Sequence, residues 1–410
     1  MTTQTPALTM SRLEFVALIA VMFATVAFSI DAMLPALPDI ATELTPTDAN
    51  RAGLILTSFV FGMGVGTLLA GPLSDAYGRR PIIYLGMGIY IISASVAWAS
   101  SSLELMLLAR VFQGLGAAGP RIVSVAIVRD LFKGREMAKV VSIVMMIFTV
   151  IPAMAPLAGS FIIEGFGWRG IFLAFILFCT FSTIWMGFRM PETLPTPERR
   201  PVRFNLMLAA TREIFAHPAV RISILTQSLA MGMLFSILLM VHPIYAEVYD
   251  RAESFPYWFC AVGILAGSGS LLNAALVGRF GMRRMVTVTL AAQVVLSTVI
   301  LSLDLGALPE PYGFATFVVF QTCLFFQAGL TLGNLNAIAM EPMGHIAGIA
   351  ASVVAAVSTV LAAFIASPVG LLFDGSISPL VLSVLVMAAL GLALMLYLGK
   401  LERMSAAAAE

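Results

Sequence analysis

The chain has 410 residues, 60% of them hydrophobic and 11% charged, with a net charge of +1. A soluble globular chain carries about 25% charged residues, so this composition excludes one and specifies a polytopic membrane protein. The near-zero net charge gives no sign of a nucleic-acid partner. Cys179, Cys260 and Cys323 all lie inside apolar runs and read as small packing residues rather than a disulfide or metal set.

The N-terminal dozen residues are polar. The apolar run that follows has full spanning length, longer than the core of a signal peptide, and reads as a retained first helix. Apolar runs of about 20 residues, enough to cross the hydrocarbon, then recur along the chain. They predict helices near 14–36, 52–72, 82–100, 104–128, 138–163, 169–189, 220–246, 256–277, 286–304, 314–340, 346–371 and 378–399. The expected fold is therefore all-α, with twelve transmembrane helices. Residues 191–219 open with Pro191-Glu192-Thr193-Leu194-Pro195-Thr196-Pro197-Glu198. That stretch cannot span and reads as a cytoplasmic linker carrying a surface helix. It separates an N-terminal bundle, 1–190, from a C-terminal bundle, 220–410. Of the 23 Lys and Arg residues, all but five fall in the turns on the side of the N-terminus. Arg51, Arg169 and Arg251 fall on the other side, and Arg110 and Arg121 inside a span. By the positive-inside rule both termini are expected in the cytoplasm.

The two halves echo each other. Leu73, Tyr77, Gly78 and Arg80 after the second span match Leu276, Phe280, Gly281 and Arg283 after the eighth, at one constant offset. A repeat at half the chain length is the mark of two parallel six-helix halves.

With these residues in view, the chain resembles the major facilitator superfamily. Gly71-Pro72-Leu73-Ser74-Asp75-Ala76-Tyr77-Gly78-Arg79-Arg80 is similar to its loop motif GxLxDxxGRR. Arg110-Val111-Phe112-Gln113-Gly114 resembles the fourth-helix motif of proton-coupled members, and Ala155-Pro156-Leu157-Ala158-Gly159 the antiporter motif of the fifth helix. Asp31 with Leu34-Pro35-Ala36-Leu37-Pro38, Arg129-Asp130-Leu131, and Glu341-Pro342-Met343-Gly344-His345 resemble the bicyclomycin/chloramphenicol-resistance (Bcr/CflA) branch of drug:proton antiporters. Met33 stands where that branch usually has an aromatic residue. Ala155 and Ser160 depart from its GPxxGG pattern. The resemblance implies a pseudo-symmetric pair of bundles and proton-coupled efflux of several small compounds by alternating access.

Asp31 is the only charge between Phe15 and Pro38. A lone carboxylate in hydrocarbon costs roughly 2.5–3.5 kcal/mol on insertion scales, so it needs a proton, a partner or water. It is the candidate proton-coupling and substrate site; the alternative is a helix-end aspartate that reaches the surface. Arg110 is expected at equal depth, where it could pair with Asp31 in a titrating site or form with it a static ion pair that fixes the first helix to the fourth. Arg121, three turns further, would favour neutral or anionic compounds if it faces the cavity; otherwise it bonds carbonyls freed by Gly119-Pro120. Gln113, Met33 and His242 are further candidate site residues, although a lone histidine is commonly a packing group. Asp75, Arg79, Arg129 and Asp130 form a charge set that the resemblance makes a cytoplasmic latch between the halves. Ala155, Pro156 and Gly159 predict close packing, with a kink at Pro156.

No nucleotide-binding loop, HExxH or CxxC appears in the sequence, so neither ATP drive nor metal catalysis is supported. The expectation is a transporter rather than an enzyme, without a cofactor beyond the coupling proton. It acts as a monomer in the bilayer of a bacterial inner membrane, on small, largely apolar compounds, neutral or charged. A dedicated amino-acid or sugar transporter is the alternative, and a non-transporting sensor on the same fold a more distant one.

Overall fold

A computed structural model describes residues 10–199, 201, 204–303, 309 and 311–407. The polar residues 1–9, Arg200 and Arg203 of the linker, and position 304 at the expected end of the ninth span lie outside the described residues.

The described chain is almost wholly helical. Ten apolar helical stretches are long enough to cross a membrane. Gly134–Arg189 is double: its backbone turns at Gly167 (φ 65°, ψ 179°) into limbs 134–166 and 168–189. Tyr312–Leu371 is also double, broken by a 3-10 turn over Glu341–Ile346. Among the described residues this gives the expected twelve spanning helices. In chain order they are α1 (Arg12–Asp31), α3 (Leu54–Tyr77), α4 (Arg79–Ala99), α5 (Leu103–Leu131) and the two limbs of α6 (Gly134–Arg189), then α8 (Pro218–Pro243), α9 (Phe255–Phe280), α10 (Met282–Ser302), α11 (Tyr312–Met340), α12 (Ala347–Leu371) and α13 (Ser378–Ala407). Two shorter helices, α2 (Leu37–Leu44) and α7 (Phe204–Ala216), complete the set.

The first span differs from its expected form. Instead of running to residue 36, α1 ends at Asp31 and a 3-10 turn over Leu34–Ala36 leads into α2. Pro35 and Pro38 cause the change: neither supplies an N–H to an α-helical ladder. The backbone stays right-handed through Ala32, Met33 and Leu37. The apolar stretch therefore continues from Arg12 to Leu44, and Asp31 stands at a joint within it.

Two compact units divide the chain, Met1–Phe204 and Asn205–Glu410. In the first, α5 packs between α3 and α4, and α1 lies along α6. In the second, α11 packs against α9 and α10, and α8 lies along α12. The same pairings thus recur in the same order. The repeated turn recurs too: Gly78 (φ 105°, ψ 161°) joins α3 to α4, and Gly281 (φ 80°, ψ 152°) joins α9 to α10. That region of the Ramachandran plot is essentially reserved for glycine, which explains why the echo keeps a glycine there. Large apolar side chains are exposed along many helices, Phe188, Phe166 and Leu271 among them. A lipid-facing surface has this character, because lipid imposes no hydrophobic penalty on exposed apolar groups.

Candidate functional site

In the first unit, α1, α3, α4 and α5 meet around Arg110, which is completely buried. Its Nε donates to Ile55 O on α3 at 3.2 Å, its Nη2 to Ser29 O on α1 at 2.9 Å, and its Nη1 to Gln113 Oε1 at 2.8 Å. The guanidinium also lies 4.4 Å from the centroid of the Phe59 ring, a favourable cation–π arrangement. Ser29 extends the network: its Oγ donates to Thr25 O, which leaves Tyr90 OH on α4 to donate to Ser29 at 2.5 Å.

Asp31 is 6% exposed, and among the described residues no ion pair or hydrogen bond joins it to Arg110. The pairing expected from equal depth is not formed. The physical reason is that each of the arginine's three nitrogens has an acceptor elsewhere. The carboxylate is left buried at the joint between α1 and the 3-10 turn, without a counter-charge. Met33, just beyond it, is wholly buried and so forms no open wall.

Arg121 is partly accessible, with its Nη1 3.6 Å from Met63 Sδ on α3. The expected alternative, bonding to carbonyls freed by Gly119-Pro120, does not occur among the described residues. Pro120 cannot bond Gly116 O, and that carbonyl instead abuts Gly86 on α4.

His242, on the second unit, is 8% exposed and stacks edge-on against Phe255, with ring centroids 5.0 Å apart. Its buried Nδ1 has no hydrogen-bond partner among the described residues, as befits a packing residue. The chain after it forms a π-turn over Ile244–Val248, where Tyr245 OH donates to Gln321 Oε1 at 2.9 Å. Turns of that type are frequent at functional sites. The sequence shows only Pro243 as a warning of it.

At the other end of the first unit the charge set is assembled around Arg79. Its Nη1 donates to Asp75 Oδ1 at 2.5 Å and to Ser74 Oγ at 2.9 Å, and its Nε to Asp130 Oδ2 at 2.9 Å. Arg129 is exposed and takes no part in these contacts. Two linker residues join instead, which sequence reasoning missed. Thr193 Oγ1 donates to Asp130 Oδ2 at 2.9 Å. The Glu192 carboxylate accepts from the backbone N–H of Arg79 at 2.9 Å, of Arg80 at 3.1 Å and of Leu194 at 3.0 Å. Glu192 thereby caps α4, supplying acceptors to N–H groups that a helix start leaves unpaired.

In α6, Pro152 and Pro156 sit within helical backbone, and the one non-helical residue of that stretch is Gly167. Gly167 is the turn between the two limbs, and Pro156 lies inside the first of them. Ala155 is buried, and a Cβ on Gly159 would lie 2.4 Å from Ala32 O. The antiporter-like stretch thus touches the backbone directly beside Asp31.

Comparison with known proteins adds the following. A family profile described as Major Facilitator Superfamily matches residues 18–367. The bicyclomycin resistance protein homolog of Haemophilus influenzae is 30% identical over 344 residues, covering 83% of this chain and 84% of its own. The chloramphenicol resistance protein of Pseudomonas aeruginosa is 40% identical over 144 residues, 35% of this chain and 34% of its own. Among solved structures, a D-xylose-proton symporter superposes with a TM-score of 0.74 at 15% identity, covering 93% of this chain and 96% of its own; that likeness concerns the fold.

Proposed function

Because the chain belongs to the Major Facilitator Superfamily, we propose that it is a proton-driven exporter of several small, largely apolar compounds. Membership makes it a multi-pass membrane transporter of small molecules rather than an enzyme. The observation that carries the coupling is Asp31, a buried carboxylate at a joint in the first span, without a counter-ion among the described residues. Desolvation favours its protonated form, and water admitted by opening of the site favours the ionised form. A cycle that alternately closes and opens access to Asp31 therefore loads a proton on one side and releases it on the other. The departing proton leaves the Asp31 carboxylate ionised, and the next one restores the acid. The proton gradient supplies the drive, and no other cofactor enters the scheme.

The names of the relatives, resistance proteins for bicyclomycin and chloramphenicol, support export of antibiotic-like cargo. The Arg79 cluster serves as a latch at the cytoplasmic side, with Asp75 and Asp130 as the acids that hold it. The bacterial relatives support an inner membrane, and the lysine and arginine bias supports both termini in the cytoplasm. A single chain, which carries its own carboxylate, is the working unit.

The test is transport into everted vesicles. Energised vesicles containing the protein should accumulate chloramphenicol, and a protonophore should abolish the accumulation. Accumulation that persists with the protonophore present would contradict proton coupling.

A further inference from the structure

Two guanidinium groups stand inside the spans of the first unit, and they differ in what is left of them. Arg110 is wholly buried, with acceptors for Nε, Nη1 and Nη2 and an aromatic face beside it. Three of its five N–H donors are taken, and its complete burial closes the rest to a ligand. Arg121, about three turns further along α5, is partly accessible. Its contact is the thioether of Met63 at 3.6 Å, a weak acceptor. Among the described residues it forms no ion pair and donates to no oxygen. An ionisable group within a span is costly, and such a group marks a functional site. The donors of Arg121 are unspent, where those of Arg110 are used in holding α1, α3 and α5 together.

The charge balance decides what those donors suit. The apolar interior of the first unit holds Asp31 as its acid, set against Arg110 and Arg121. A permanently cationic compound would meet two fixed positive charges and one titrating carboxylate. A bound anion would add negative charge to an interior whose acid is Asp31, which favours the protonated form and opposes proton release. An uncharged compound carrying carbonyl or nitro oxygens incurs neither penalty. Its oxygens fit the planar fork of a guanidinium, and its apolar body fits the polarizable Met63 side chain.

Building on the transporter reading above, we infer that Arg121 is a specificity-determining residue that selects uncharged, acceptor-bearing compounds over lipophilic cations. The experiment is equilibrium binding to the full-length protein in nanodiscs. The probes are chloramphenicol, uncharged with nitro and amide oxygens, and tetraphenylphosphonium, a lipophilic cation. The wild type should bind chloramphenicol at least about tenfold more tightly, the scale of one hydrogen bond to a charged group. Arg121→Gln should weaken chloramphenicol by about tenfold and tighten tetraphenylphosphonium. Arg121→Lys keeps the charge but loses the fork, so it should weaken chloramphenicol and still exclude the cation; it also serves if the Gln variant does not fold. Equal binding of the two probes by the wild type overturns the inference, as does a binding ratio that neither substitution moves. Protonophore-sensitive flux measured on the same variants separates the two claims. Flux retained with an unmoved ratio removes the role of Arg121 and leaves proton-driven export standing.

Discussion

Arg110 bonds the carbonyl of Ser29, two residues before Asp31. On a helix that turns about 100° per residue, the side chains of Ser29 and Asp31 project about 200° apart. The face of α1 that carries Ser29 Oγ bonds Tyr90 on α4, so Asp31 projects away from it. Depth along a span can be read from a sequence, but the direction around the helix axis depends on packing partners. For that reason Asp31 was legible as a singular acid, whereas its lack of a partner was not. The same geometry makes Arg110 a structural tie. Arg110→Lys retains the charge but has no planar fork to reach three acceptors. It should leave buried carbonyls unpaired at about 1–3 kcal/mol each. The check is a lower melting temperature in detergent.

At the scale of elements, the helices pack closely enough that single glycines decide the fit. A Cβ on Gly114 would lie 1.9 Å from Phe59 O, and one on Gly62 would lie 1.8 Å from Val111 O, so α3 and α5 meet backbone to backbone. Gly114→Ala must push them apart, at about 1–3 kcal/mol. Gly88→Ala, with nothing within 4 Å of its Cβ, is the control that should leave the melting temperature unchanged. Small residues in these spans are visible in the sequence, and their purpose follows from how membrane helices associate. Glu192 was not visible in this way. It lies in a proline-rich stretch that reads as a passive linker, yet it caps α4 from more than a hundred positions away. Glu192→Ala should cost about 0.5–2 kcal/mol, the range for a lost cap. Glu192→Gln, which keeps an acceptor oxygen, should cost less. Thermal unfolding of the two variants side by side measures the difference.

For the whole molecule, span length and the repeated basic turn were enough to specify twelve helices in two halves. Both are one-dimensional signals: a run long enough to cross hydrocarbon, and a glycine that the turn conformation demands. The joint after Asp31 depends on local backbone detail that run length does not encode, whereas the break at Gly167 falls between the expected runs 138–163 and 169–189. Orientation is a prediction at this scale. A reporter fused after Ala407 should be active in its cytoplasmic form and inactive in its periplasmic form. The opposite result would move the Arg79 cluster to the periplasmic side, although the fold would be unaffected.

The central claim is that Asp31 carries the coupling proton, and the most direct measurement is proton release by purified protein in weakly buffered detergent solution when chloramphenicol is added. The wild type should release protons on binding. Asp31→Asn, which has no titrating group at that position, should bind the compound and release none. Release from Asp31→Asn equal to that from the wild type would contradict the account.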